Sequence, residues 1–320
     1  MRPSRTADGR ELGERLKQRD VSAAPAVLNL LESRTGNARD QAATLLESVA
    51  PSALGGEAPA HIIGVTGPPG VGKSSLLSRL VTGWRARDRT VAVLAVDPTS
   101  RRSGGALLAD RARIDVDPTD RGLFVRSTAA AGRLGGLAPA TRAAASALAA
   151  AFDVVVIETV GVGQSETEVA DVADTVTVIV QPGSGDVLQF LKAGIMEVPD
   201  VLVVTKSDLS EAKRSIADLR AAFQALGADT QVVATSAVAP PSGIDELIEA
   251  LDEHRQRLDL PTRRLRARRM HALADFAAEH GERGLRVLGG RREAERWLEA
   301  QDPGLDVAAL ERALAERARD

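Results

Sequence analysis

The chain has 320 residues, enough to bury a large core in one main domain with helical additions. It is 44% hydrophobic with no apolar run near the roughly 20 residues of a membrane span, and its opening MRPSRTADGR lacks the apolar centre of a secretion signal, so a cytoplasmic protein with no membrane partner is expected. The absence of cysteine excludes disulfides and thiolate chemistry, four scattered histidines offer no ligand spacing, and a net charge of −3 with 2% aromatics argues against a nucleic-acid partner.

From residue 10 to 50, apolar positions recur at helical spacing (Leu12, Leu16, Val27, Leu30, Leu31, Leu45, Leu46, Val49), which predicts a small helical extension over 1–55. PSALGGEAP at 51–59 has the composition of a linker. Apolar, β-branched runs then alternate with helical stretches, at 61–66, 90–96, 123–126, 153–158, 174–180, 200–205 and 230–235. That alternation predicts an α/β fold with a doubly wound, mostly parallel sheet over 56–258, which the glycine-rich GPPGVGKSS after its first strand makes a P-loop NTPase. Residues 259–320 show no further strand and read as a helical extension, a candidate dimerisation arm, with turns at Gly289-Gly290 and Pro303-Gly304. The cluster Arg263, Arg264, Arg266, Arg268 and Arg269 reads as a solvated face or dimer rim, and Leu298, Leu305, Leu310 and Leu314 as a stripe that buries on the main domain or on a second subunit.

The first predicted strand runs into GPPGVGKSS (Gly67, Pro68, Pro69, Gly70, Val71, Gly72, Lys73, Ser74, Ser75), followed by a helical pattern. Strand, glycine-rich loop and helix in this order form a phosphate cradle: glycines let backbone N–H groups approach, Lys73 offers a charge to the β- and γ-phosphates, and Ser74 a hydroxyl to Mg²⁺. A nucleoside triphosphate is the expected ligand.

Thr205-Lys206-Ser207-Asp208 follows a later strand and resembles the NKxD guanine-specificity motif of GTPases. A carboxylate at Asp208 can accept from guanine N1–H and the exocyclic amine, donors that adenine lacks in that arrangement. Thr205 in the usual Asn position predicts looser bracing of this loop. Ser236 and Ala237, at the end of the next strand, resemble the second base-contacting loop, so GTP is favoured over ATP. Glu158 ends the strand before Gly161 and Gln164; an acidic residue there can hold Mg²⁺ through water, Gly161 can donate to the γ-phosphate, and Gln164 is a polar switch contact or a water-placing group. Asp97 at a strand tip and Asp110 beyond it are alternatives for Mg²⁺ or for orienting water.

GPPGVGKSS, AVDPTSRRSGGALLADRARI (95–114), GRLGGLAPATR (132–142), DVVVIETVGVGQSE (153–166) and PGSGDVLQFLKAGI (182–195) together resemble the MeaB/ArgK (MMAA-like) family, over about residues 10 to 260. The resemblance implies a SIMIBI-class GTPase, usually a homodimer, that serves as a chaperone of an adenosylcobalamin-dependent acyl-CoA mutase, methylmalonyl-CoA mutase above all. It implies that GTP hydrolysis is coupled to cofactor loading and to protection or reactivation of the mutase, with GTP/GDP and Mg²⁺ as cofactors. It also implies that Lys73, Asp97, Asp110, Glu158, Gly161, Gln164 and Lys192 carry catalysis and switching. Direct ligation of cobalamin by this chain is not expected.

Departures from the family pattern fall on the switch surfaces: Phe190 and Ala193 stand where Gly and Lys are usual, and Ala109 and Arg111 where Gly and Lys are usual. Such drift, beside an intact nucleotide core, suggests a dedicated partner such as a hydroxyacyl- or isobutyryl-CoA mutase. Alternatives are a P-loop kinase, a metallochaperone-like GTPase of the same class, disfavoured by the lack of cysteine, and a binding module that does not turn GTP over.

Overall fold

The computed structural model describes residues 8–33, 35–97, 114, 115, 117, 119–129, 137–159, 164–183 and 199–319. Seven strands form one sheet: β1 (His61–Thr66), β2 (Val91–Asp97), β3 (Leu123–Ala129), β4 (Val154–Thr159), β5 (Thr175–Val180), β6 (Val201–Val204) and β7 (Gln231–Ala234), in the order β3-β2-β4-β1-β5-β6-β7. Every pairing is parallel. The predicted α/β fold is therefore present, each strand lying within three residues of its expected bounds. Strands buried on both faces need continuous apolar runs rather than alternation, and VVVIET in β4 and TVTVIV in β5 are such runs, buried at every position.

Helices cover both faces. On one, Leu76, Leu77, Leu80 and Trp84 of α5 (Lys73–Arg85) and Leu247, Ile248 and Leu251 of α9 (Ile244–Arg257) pack on Ile63, Val65, Val93, Val154 and Val156. On the other, Gly64 of β1 lets Val169 of α7 (Gln164–Val172) approach so closely that an added Cβ would lie 2.8 Å from it. The remaining crossovers are α6 (Pro139–Leu148) and α8 (Ala212–Ala225).

The described residues group into two compact units, one drawn from Ala60–Ala145 and Phe152–Leu258, the other from Met1–Pro59, Ser146–Ala151 and Asp259–Asp320. The sheet belongs to the first. In the second, α1 (Gly9–Lys17), α2 (Ala24–Glu32), α3 (Gly36–Ser48) and α4 (Pro51–Leu54) group with α10 (Leu260–Val287), α11 (Arg291–Glu299) and α12 (Val307–Arg317).

Three sequence expectations change here. The 51–59 stretch is not a free linker: Pro51–Leu54 is helical, Ser52 N–H donates to the Gly304 carbonyl, and Glu57 receives both arms of Arg268 at 2.9 and 2.8 Å. The arginine cluster is partly internal, since Arg264 is only 8% exposed and donates to the Ala58 carbonyl at 2.7 Å, while Arg269 donates to the Glu299 carbonyl. Such fork-to-carboxylate pairing in a sheltered place fixes geometry more than a surface ion pair does. Finally, Leu298, Leu310 and Leu314, with Leu305 at their edge, pack on Ala272, Leu273, Phe276, Leu285 and Leu288 of the tail itself. Among the described residues no helix is long and apolar enough to cross a membrane.

Candidate functional site

The loop between β1 and α5 is shaped by glycine. Gly67 has φ 150°, and a Cβ there would sit 2.2 Å from the Ile179 carbonyl of β5; Gly72, at φ 98°, caps α5 in the left-handed region. The loop therefore turns tightly over the tip of β1 and presents the first turn of α5. Lys73 Nζ donates to the Gly67 carbonyl at 2.6 Å and the Pro68 carbonyl at 3.0 Å. Ser74 Oγ donates to Glu158 Oε1 at 3.4 Å, joining the helix start to the carboxyl end of β4. A cavity of about 420 Å³ opens here, lined by Gly70, Lys73, Ser74, Val96, Glu158 and Thr159 among others. Its site, beyond the carboxyl ends of β1, β2 and β4, is where ligands bind in open parallel sheets.

Ser74 and Glu158 bring two hard oxygen donors within 3.4 Å, close to the roughly 3 Å spacing of adjacent ligands around an octahedral ion with bonds of about 2.1 Å. This donor set fits Mg²⁺, which takes one or two protein oxygens and otherwise phosphate and water. No group of three or more His, Cys, Asp or Glu that could hold a metal occurs among the described residues. Asp97 is the last residue of β2, next to the cavity-lining Val96, and Gln164 is the first of α7. Asp110, Gly161 and Lys192 lie outside the described residues.

The second cluster assembles at the tips of β6 and β7. Thr205 Oγ1 is buried and its proton is shared between the Val71 carbonyl at 2.6 Å and the Val180 carbonyl at 3.0 Å. Lys206, in the left-handed region at φ 52°, extends Nζ to the Gly70 carbonyl at 3.2 Å and to Gln181 Oε1 at 2.6 Å. Ser236 Oγ donates to Asp208 Oδ1 at 2.5 Å, Ser207 N–H donates to the Thr235 carbonyl, and the Ala237 carbonyl accepts from Arg79 of α5 at 3.4 Å. The looser bracing expected from Thr205 is thus corrected: the shorter hydroxyl reaches the phosphate loop directly.

Two residues were missed by sequence reasoning. Gln181, just after β5, braces Lys206, and Thr159 lines the cavity; each stands at a strand tip, and only the strand order places those tips beside the two loops. One Asp-x-His triplet of the cobalamin-ligating kind does occur, Asp252-Glu253-His254 on α9. Both outer side chains are engaged: Asp252 takes both arms of Arg89 at 2.7 Å, and His254 Nδ1 shares a 2.8 Å hydrogen bond with Thr175.

The family model described as Methylmalonyl Co-A mutase-associated GTPase MeaB matches residues 24–283. The chain belongs to the MeaB family. A Pyrococcus abyssi relative, named as a GTPase, is 42% identical over 257 residues, covering 78% of this chain and 76% of that protein. A Caenorhabditis elegans protein named methylmalonic aciduria type A homolog, mitochondrial, is 39% identical over 198 residues, 58% of this chain and 49% of that one. A crystal structure of a LAO/AO transport system kinase superposes with TM-score 0.63 at 26% identity, covering 97% of both chains. This MeaB-family chain is a P-loop GTPase that binds GTP and GDP.

Proposed function

We propose that this GTPase is the nucleotide-gated chaperone of an adenosylcobalamin-dependent acyl-CoA mutase, coupling GTP hydrolysis to cofactor loading and to protection or reactivation of that enzyme. The observation that carries the reading is the match to the mutase-associated GTPase family over residues 24–283, which takes in the phosphate loop, both base loops and the acidic strand tips. The C. elegans relative, by its name, points the same way. The drift at Phe190, Ala193, Ala109 and Arg111 favours a dedicated mutase, of the hydroxyacyl- or isobutyryl-CoA type, over the methylmalonyl-CoA enzyme.

The chemistry is in-line attack of water on the γ-phosphate. Ser74 and Glu158, with Asp97 or Asp110, would hold Mg²⁺, which would neutralise charge developing on the phosphates. Lys73 now serves the Gly67 and Pro68 carbonyls; phosphate oxygens are anionic and therefore stronger acceptors for the same ammonium. Asp208, held by Ser236, reads guanine, while Thr205 and Lys206 keep that loop registered against the phosphate loop. Gly161 and Lys192 respond to the γ-phosphate, and Gln164 makes a switch contact.

The test is complex formation. The purified protein, run on gel filtration with each of a panel of mutases and with GDP or a non-hydrolysable GTP analogue, co-elutes with one mutase in a nucleotide-dependent way. Failure to associate with any mutase in either nucleotide state would overturn the partner assignment and leave the GTPase intact. The structural likeness to a transport-system kinase favours one second reading, phosphoryl transfer to an acceptor other than water. It predicts that nucleotide turnover depends on an added acceptor.

A further inference from the structure

Thr159 ends β4 immediately after Glu158 and lines the cavity, yet the residue is 0% exposed. Its Oγ1 is buried and has no hydrogen-bond partner among the described residues. Leaving a buried hydroxyl unpaired costs about 1–3 kcal/mol, and native interiors carry few such groups. Valine has nearly the same shape and no such cost, so packing alone does not account for threonine here. Three other buried threonines in or beside the sheet are served: Thr205 bonds two carbonyls, Thr175 bonds His61 and His254, and Thr128 pairs with Thr141. Thr66, Ser127 and Thr177 have similarly unpaired hydroxyls, but none of them lines the cavity.

The cavity is lined by the phosphate loop and by Glu158 and Thr159 at the tip of β4, which places Thr159 beside the phosphate end. A hydroxyl has one donor and two acceptor positions. It can accept a hydrogen bond from a water and donate to a phosphate oxygen, which sets that water's lone pair toward phosphorus. We propose that the Thr159 hydroxyl positions the water that attacks the γ-phosphate of GTP. The water oxygen forms the new bond to the γ-phosphorus, the bond to the β,γ-bridging oxygen breaks with its electron pair retained by GDP, and the water's proton leaves with inorganic phosphate. Thr159 keeps its own proton throughout. This role rests on GTP hydrolysis at this site and is independent of the mutase partner.

Three measurements on Thr159→Val and Thr159→Ser decide it: melting of the nucleotide-free protein, GTP affinity, and single-turnover hydrolysis without any mutase. Thr159→Val is expected to melt at a higher temperature, to bind GTP within about twofold of wild type, and to hydrolyse it about tenfold more slowly, the loss of one neutral hydrogen bond in the transition state. Thr159→Ser, which keeps the hydroxyl, restores hydrolysis. Wild-type hydrolysis by Thr159→Val overturns the proposal. So does slow hydrolysis accompanied by a lower melting temperature and weakened GTP binding, which marks a structural hydroxyl, or failure of Thr159→Ser to restore the rate.

Discussion

The Thr205 hydroxyl donates to the Val71 carbonyl at 2.6 Å, bonding the base-reading loop directly to the phosphate loop. Lys206 adds a second tie to the Gly70 carbonyl, so the two loops are held in register before any nucleotide arrives. Thr205→Val leaves buried carbonyls without that donor and is expected to weaken GDP binding about tenfold and to cost about 1–3 kcal/mol of stability, while Thr205→Ser preserves both. Calorimetric titration with GDP checks the first effect and chemical denaturation the second.

Asp208 is the group expected to distinguish guanine from adenine, and the 2.5 Å bond from Ser236 fixes its carboxylate. Asp208→Asn exchanges one acceptor for a donor that faces guanine's own N–H groups, so GTP-over-ATP discrimination should fall about 100-fold. Displacement of a fluorescent guanine nucleotide by GTP and by ATP measures it; unchanged discrimination removes Asp208 from the base site.

Lys73 is the cation of the phosphate loop. Lys73→Ala removes charge stabilisation at the transferring phosphoryl group and should lower triphosphate affinity or turnover about 100-fold with the melting temperature nearly unchanged. Equilibrium binding and single-turnover assays separate the two contributions.

Two titrating groups give stability opposite pH dependences. Burial, only partly opposed by Asp174, pushes the His61 imidazole down to about 3, and its ring shares a 2.7 Å hydrogen bond with Thr175. The unfolded chain therefore binds a proton that the folded chain refuses, and this group makes stability fall as pH drops below about 6.5, by up to about 1.4 kcal/mol per pH unit. Glu311 is pushed up to about 7, first by burial and then by the charges of Asp275 and Glu279. Here the folded chain binds the extra proton, so stability is lost as pH rises from the usual glutamate range through about 7. Melting curves across pH should show Glu311→Gln removing the alkaline loss and leaving the acid loss in place.

The sheet was legible because strands buried on both faces are written as unbroken β-branched runs such as VVVIET. The least accurate strand end, that of β3, has the sequence RSTA, where pairing with β2 rather than apolar pattern sets the limit. The phosphate loop and the carboxylate of Asp208 were legible because their chemistry demands particular residues at fixed spacing. Glu57 and Ala58 were read as linker because their composition says turn, whereas Arg268 and Arg264, which hold them, lie more than two hundred residues away. Gln181 and Thr159 escaped for a related reason, as did the tie that Thr205 makes to the phosphate loop: a hydroxyl or amide gains its role from the strand beside it, and neighbours in the sheet are not neighbours in sequence.

The central claim, GTP hydrolysis answering to a cobalamin-dependent mutase, is tested most directly by GTP turnover of the purified protein, alone and with each of a panel of adenosylcobalamin-dependent acyl-CoA mutases, with ATP as the control nucleotide. The account predicts slow intrinsic GTP turnover, little with ATP, and acceleration by one mutase. Turnover that no mutase alters would contradict the chaperone role, and equal turnover of ATP would contradict the base-reading site.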